Sequence, residues 1–290
     1  MKYRTDLAIE TEQLLTEARQ QASGYIKKQS QIDKDISVTE IIITTEEGEK
    51  AFGRDRGTYI TVEVDGILEG KEDIKKRAAR ALAAELKKYI KFDYFLKVLV
   101  VGLGNEKVTP DSLGPHTVDK VKITSHLFRI FECEGDWEMA NVSGFNPSVT
   151  GVTGMETADL IEKTVSLVKP DYVVIIDSLA AKEMGRMNTT IQMCDTGIAP
   201  GAGMGNNRRE ISEKTIGCKV ISLGVPTVID SRTLLLEAAE ETGGWDPEEY
   251  IKKRDMDMIV TSTDIDQIIK DFSDIIADAI NITLHPGIYS

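Results

Sequence analysis

The chain has little of what disulfide-bonded, zinc-binding or membrane-spanning proteins need. It contains three cysteines in 290 residues, Cys133, Cys194 and Cys218. They are too few and too scattered for a disulfide framework or a zinc knuckle, so we expect three reduced, packed thiols in a cytosolic protein. No segment approaches the roughly 18 uninterrupted apolar residues of a membrane helix. The polar amino terminus also lacks the apolar core of a signal peptide.

Basic residues and histidines are also scarce. Acidic side chains outnumber basic ones by 48 to 35, and the formal net charge is −13. A general nucleic-acid binder needs clustered Lys and Arg for phosphate contacts, so this balance argues against one. The three histidines, His116, His126 and His285, are too dispersed for a metal motif. With 41% hydrophobic residues the chain can bury a substantial core, and we find no linker or repeat that divides it.

Helical and strand patterns alternate through the middle of the chain. Apolar spacing predicts helices over about 8–21, 71–90, 156–168, 234–241 and 264–281. Runs rich in β-branched residues predict strands over 36–45, 58–64, 97–101, 172–176, 189–193 and 218–223. The alternation predicts an α/β fold, with a mostly parallel central sheet and helices on both faces. The first two strands are expected to form an antiparallel hairpin extension.

Two of these apolar strands run into an aspartate. The strand 97–101 leads through a glycine-bearing turn to Asp111, and the strand 172–176 ends on Asp177. Ligands bind where the carboxyl ends of neighbouring strands meet. Two carboxylates at that edge can act as base and acid, which makes hydrolysis the first hypothesis. The alternative is that each aspartate caps a following helix, with Ser112 a further candidate cap.

Two other motifs are weaker. The turn at 102–105 has neither the G-x-G-x-x-G pattern nor the Lys-Ser/Thr pair of a nucleotide loop. The triplet at 195–197, Asp-Thr-Gly, occurs in pepsin-like proteases, but those are all-β and carry two copies; we interpret it as a polar turn. The glycine-rich stretch that follows is suited to a substrate-binding flap, with Gly201, Gly203 and Arg208 as candidate binding residues.

Four segments of the chain resemble the germination protease family of spore-forming bacteria, and the similarity runs over nearly the whole chain. These segments are RTDLAIE at 4–10, VTPDSLGP at 108–115, IDSLAA at 176–181 and the stretch beginning DTGI at 195–206.

The resemblance implies an endopeptidase with a phosphorylase/hydrolase-like fold that degrades small acid-soluble spore proteins during germination. It also implies a homotetramer, made as a zymogen in the cytoplasm of the developing spore. The two essential aspartates of the family match Asp111 and Asp177. We expect neither a membrane nor a nucleic-acid partner.

The amino terminus resembles a cleavage site of the same family. Substrates are cut after an acidic residue that is followed by an apolar residue and Ala, with another Glu shortly after. Residues 5–10, Thr-Asp-Leu-Ala-Ile-Glu, match that order. The resemblance therefore predicts self-cleavage between Asp6 and Leu7, which would divide the chain into a propeptide, 1–6, and a single protease domain, 7–290.

Two alternative functions stay open. The family is distantly similar to hydrogenase maturation proteases, whose corresponding acidic residues bind metal. We expect no cofactor, but a metal-dependent peptidase that uses the same two aspartates remains a second hypothesis. A non-catalytic protein that binds a small ligand in the strand-end crevice is the third.

Overall fold

Nine strands in the described part of the chain form one mixed sheet. The structure is a computed structural model, and it describes residues 4–17, 23–69, 71–201, 208–243, 247–254 and 258–289. The strands are β1 (Tyr25–Gln31), β2 (Ile36–Ile43), β3 (Gly57–Val64), β4 (Lys97–Gly102), β5 (Asn141–Phe145), β6 (Tyr172–Ala181), β7 (Thr190–Cys194), β8 (Lys219–Asp230) and β9 (Ile259–Val260).

The sheet has a parallel half and an antiparallel half. Its order is β1-β2-β3-β7-β8-β6-β4-β5, and β9 pairs with β8. The neighbours β5, β4, β6 and β8 run parallel, whereas β7, β3, β2 and β1 continue the sheet in antiparallel pairs. The predicted α/β class is confirmed, and the carboxyl ends of four parallel strands lie along one edge.

Helices cover both faces of this sheet. One face packs against α3, α4 and α11, and the other packs against α7 and α8 over the parallel half and against α1 and α2 over the antiparallel half. The helices are α1 (Ala8–Glu17), α2 (Glu46–Phe52), α3 (Glu72–Tyr89), α4 (Leu113–Val118), α5 (Ser125–Ile130), α6 (Thr150–Thr153), α7 (Thr157–Val168), α8 (Glu213–Ile216), α9 (Ser231–Thr242), α10 (Pro247–Arg254) and α11 (Ile265–Leu284). Short 3₁₀ turns occupy Ile67–Glu69, Thr109–Asp111 and Met184–Arg186.

The antiparallel extension is larger than the hairpin that the sequence predicts. Strand β1 precedes the predicted pair and bonds to β2 from Tyr25↔Ile43 to Gln31↔Ser37. The sequence pattern misses it because its residues after Tyr25 are all exposed, so it shows no apolar alternation. The loop that links β2 to β3 contains α2, which the Thr45 side chain caps by accepting from the Gly48 N–H.

The predicted end of the second aspartate strand is wrong. Strand β6 continues through Asp177 to Ala181, because β8 pairs with it over this whole stretch. No helix begins at Ser178, so Asp177 is not a helix cap. Asp111 lies inside a 3₁₀ turn, and the Ser112 hydroxyl donates to the Thr109 carbonyl without capping α4. The capping alternative therefore does not hold for these residues.

Two further expectations concern burial and membranes. Cys194 and Cys218 are buried free thiols, but Cys133 is exposed, so the prediction that all three pack inside is wrong for Cys133. Its position just after α5 is on a surface turn. Among the described helices, none combines the length and the apolar character needed to cross a membrane.

A glycine turn carries the chain from β4 back to Asp111. Gly104 has φ +107°, in the region that favours glycine, and a Cβ there would lie 1.9 Å from the Asp111 carbonyl oxygen. The following N–H, on Asn105, donates to that same carbonyl at 3.0 Å. The tight turn is what keeps Asp111 beside the end of β4.

We predict that Gly104→Ala lowers the free energy of unfolding by about 1–3 kcal/mol, because the new methyl group overpacks the turn and the positive φ disfavours alanine. Urea unfolding measures the difference. Gly151→Ala is the matched control, since no atom lies within 4 Å of a Cβ at that position. Equal stability of the two variants would contradict this account of the turn.

Candidate active site

Asp177 lies on β6 between two apolar clusters on the same face of the sheet. Val173 and Ile175 precede it on that face and pack against α7, and Leu179 and Ala181 follow it and pack against α1. Its own side chain is 5% exposed. The Oδ1 atom accepts one hydrogen bond, from the Ser178 N–H at 2.9 Å. The strand thus holds a carboxyl group in surroundings that are largely apolar.

Asp111 reaches the same place from the loop after β4. Its Oδ2 atom accepts from the Asn105 N–H at 2.9 Å. The preceding residue is tied to β8, because the Thr227 hydroxyl donates to the Pro110 carbonyl at 2.7 Å. Asp111 is only partly buried, so its carboxyl group is more accessible to water than that of Asp177.

The two aspartates line one cavity of about 250 Å³ at the carboxyl end of the parallel strands. Gly201 and Arg208, two of the predicted substrate-binding residues, line the same cavity, and so does Asp6. Gly203 lies outside the described residues. The structure therefore brings together the aspartate pair, one cation and the predicted cleavage site.

The two carboxyl groups lie in unequal electrostatic surroundings. Burial raises the pKa of Asp177 well above its ordinary value, and the negative charges of Asp111 and Asp6 raise it further. Burial also raises the pKa of Asp111, but the Asn105 N–H and the Arg208 guanidinium oppose this. Burial therefore favours the protonated form of Asp177 more strongly than that of Asp111. A pair that shares one proton in this way can supply an acid and a base at once.

The amino-terminal segment crosses the sheet beside this cavity. The Asp6 N–H donates to the Ala180 carbonyl at 2.9 Å, and the Asp6 carboxylate accepts from the Ala180 N–H at 2.8 Å. Leu7 is fully buried against the apolar cluster beyond Asp177. A second cavity, of about 490 Å³, lies on the other side of this crossing and shares Asp6 and Leu179 with the first. The segment thus divides one groove into two.

Gln192 is a residue of this region that sequence reasoning missed. It lies on β7, is 7% exposed, and hydrogen-bonds the backbone on both sides of Leu7. The sequence did contain one signal for it, a single amide side chain in the strand Thr-Ile-Gln-Met-Cys. A polar side chain that is buried in a strand requires a hydrogen-bond partner. The charge of Asp6 beside Asp177 was not predictable either, since the two are remote in sequence.

Other candidates lie elsewhere. Asp195 is exposed at the end of β7, where it accepts from the Thr58 N–H at 2.7 Å, as a polar turn would. Arg209 forms surface ion pairs with Asp159 and Glu162. His116 lies on α4 and is not one of the residues that line the cavity.

The described residues contain no group of three or more His, Cys, Asp or Glu side chains arranged to hold a metal ion. Asp111 and Asp177 bring two carboxyl groups to one cavity, so the pair can supply an acid and a base.

Comparison with known proteins gives consistent matches. The sequence model of the family described as "Germination protease" matches residues 4–240. The germination protease of Caldanaerobacter subterraneus subsp. tengcongensis is 37% identical, over 98% of this chain and 95% of the relative. That of Clostridium tetani is 36% identical, over 99% of this chain and 97% of the relative. That of Oceanobacillus iheyensis is 45% identical, over 80% of this chain and 65% of the relative.

A solved structure also shows a likeness. The [NiFe] hydrogenase maturation protease HycI of Thermococcus kodakarensis KOD1 aligns with 68% of this chain and 99% of its own, at 13% identity and a TM-score of 0.31.

We predict that Asp177→Asn becomes more stable relative to the unsubstituted protein as pH rises from about 4 to neutral. A carboxyl group with a raised pKa stabilises the fold when protonated, below its ordinary pKa of about 4, and loses that contribution as pH rises through its folded pKa. The asparagine of the variant does not titrate, so the variant loses no stability in this way. Urea unfolding at several pH values measures this, with Asp195→Asn as an exposed control. A difference that stays constant or falls with pH would contradict the burial argument.

Proposed function

The chain belongs to the germination protease family and is an endopeptidase, and from that premise we propose that it degrades small acid-soluble spore proteins in the core of the germinating spore. The observation that carries the proposal is the pair of carboxyl groups, Asp111 and Asp177, in one cavity with unequal surroundings. The groove beside them offers room for an extended peptide on both sides of Leu179.

We assign the base to Asp111 and the acid to Asp177. The ionised Asp111 removes a proton from a water molecule, whose hydroxyl group attacks the scissile carbonyl carbon. The protonated Asp177 donates a hydrogen bond to the carbonyl oxygen and then protonates the leaving amine as the C–N bond breaks. The proton on Asp111 then returns to Asp177, so the reaction consumes one water molecule and restores the pair. Arg208, whose positive charge favours the ionised form of both carboxyls, is placed to hold an acidic substrate side chain.

We further propose that the chain is made as a zymogen and cuts itself between Asp6 and Leu7. Support comes from Asp6, which lines the cavity of the aspartate pair and adds its own negative charge to that of the pair. While Asp6 is bound to Ala180, the crossing segment occupies the middle of the groove, where a substrate peptide would lie.

A homotetramer is also proposed, on the family resemblance. The structure offers a surface that such assembly would cover: an aromatic cluster in which the Tyr94 ring contacts those of Phe95 and Trp137. Phe95 is 59% exposed and Trp137 is 73% exposed. Side chains of this size are enriched at protein interfaces.

We expect Asp111→Asn and Asp177→Asn each to abolish cleavage of a small acid-soluble spore protein while the fold is kept. An amide can neither accept the proton of water nor supply one to the amine. Electrophoresis of the substrate measures cleavage, and circular dichroism checks the fold. Asp195→Asn, at the end of another strand, should cleave like the unsubstituted protein.

Substantial cleavage by either folded variant would refute the aspartate pair. Incubation with a chelator distinguishes the metal-dependent alternative from the aspartate pair acting alone. Activity that the chelator removes and a divalent cation restores would favour metal-assisted hydrolysis. An intact substrate with the unsubstituted protein would favour a pure binding role.

Self-cleavage should leave Leu7 as the new amino terminus. Mass spectrometry of the full chain, taken after it has digested a small acid-soluble spore protein, measures this directly. Asp111→Asn should keep its original terminus, because the same pair performs both reactions. An unsubstituted protein that digests the substrate and keeps residues 1–6 would sink the maturation proposal and leave the peptidase proposal standing.

A further inference from the structure

Gln192 holds the backbone around the predicted cleavage site with both ends of its side-chain amide. Its Nε2 atom donates to the Asp6 carbonyl oxygen at 2.6 Å. Its Oε1 atom accepts from the Ala8 N–H at 2.7 Å. Because a carbonyl can only accept and an N–H can only donate, these two contacts fix which end of the amide faces which group.

The sheet register places Gln192 in line with the buried aspartate. Gln192 on β7 pairs with Gly224 on β8, and Gly224 pairs with Asp177 on β6. Paired residues point to the same face of a sheet, so Gln192 and Asp177 share the face that the amino-terminal segment crosses. Two strand spacings separate their Cα atoms, which is about 10 Å. Asp6 lines the cavity of each of them, the 250 Å³ cavity with Asp177 and the 490 Å³ cavity with Gln192.

The oxygen that Gln192 contacts is the carbonyl oxygen of the peptide group that the chain is expected to cut. In peptide hydrolysis, negative charge develops on this oxygen when water attacks the carbonyl carbon. A fixed donor aimed at that position stabilises the transition state without reorganisation. We propose that Gln192 is a catalytic residue that donates a hydrogen bond to the scissile carbonyl oxygen, alongside the proton of Asp177. This inference rests on the proposed function and names a further group in the same site.

The hydrogen bond from Ala8 would also orient Gln192 for a separate substrate protein. Ala8 stays in the chain after cleavage between Asp6 and Leu7, so its N–H still holds the Oε1 atom of Gln192. The Nε2 atom is then turned toward the groove that Asp6 has left. The carbonyl of an incoming acidic residue takes the place of the Asp6 carbonyl, and the donor is oriented before the substrate binds.

Gln192→Glu tests the proposal with little change in shape. Glutamate keeps an oxygen for the Ala8 N–H but, when ionised, presents a negative charge to the carbonyl oxygen in place of a donor. We expect kcat at neutral pH to fall about 10²–10³-fold, the loss typical of removing such a donor, with KM changed far less. As pH falls and the new carboxyl group is protonated, it regains a donor, so the ratio to the unsubstituted protein should recover.

Gln192→Met removes the donor without adding a titratable group. Its kcat should fall by a similar factor, and the ratio to the unsubstituted protein should stay constant with pH. Gln29→Met, on the exposed strand β1, is the matched control and should keep full activity. Each variant is assayed as the full chain, after urea unfolding shows that it is folded.

Two outcomes would overturn the proposal. The first is a kcat within about threefold of the unsubstituted value in folded Gln192→Met, or in folded Gln192→Glu at a pH high enough to ionise the new carboxyl group. The second is a loss confined to KM, which would make Gln192 a binding residue only. Failure of the unsubstituted protein to cleave would instead count against the proposed function, so the two failures are distinguishable. If one variant does not fold, the other decides.

Discussion

The burial of the Asp177 carboxyl group is the constraint on which the proposed chemistry of this molecule depends. Asp177 interrupts an apolar strand face, with one cluster under α7 before it and another under α1 after it. Water is largely excluded there, so the charged form is disfavoured and the proton is retained. Asp111 sits nearer to water and is ionised first. The difference in burial, rather than any difference in residue type, is the basis for the different roles proposed for the two aspartates.

The two halves of the sheet contribute different parts of the site. The parallel half places Asp177 on β6 just beyond the last residue paired with β4, and brings Asp111 back beside it through the turn after β4. The antiparallel half brings β7 against β8, and with it Gln192 in register with Asp177. A purely parallel sheet would have offered the aspartates without the amide. The proposed role of Gln192 therefore depends on the mixed topology of the sheet.

The amino-terminal segment connects the proposed maturation with the candidate site. Its acidic side chain is held by a backbone N–H of β6, and its carbonyl is held by the β7 amide. Leu7 and Ala8 anchor the segment in the apolar cluster that flanks Asp177. The chain thus places a peptide of its own in the groove. The contacts of this peptide show which groups in the groove hydrogen-bond a peptide backbone.

The sequence by itself determined the α/β class, the long helices and the two aspartates, because apolar periodicity and strand-end position are local properties. It could not find β1, whose exposed residues carry no alternation, or the true end of β6, which depends on pairing with a distant strand. It named Asp6 and Leu7 only by resemblance. Only the tertiary structure decided that Asp177 and Gln192 share one row of the sheet and that Asp6 lies beside both of their cavities, since sheet register and the packing of remote segments are encoded in no local pattern.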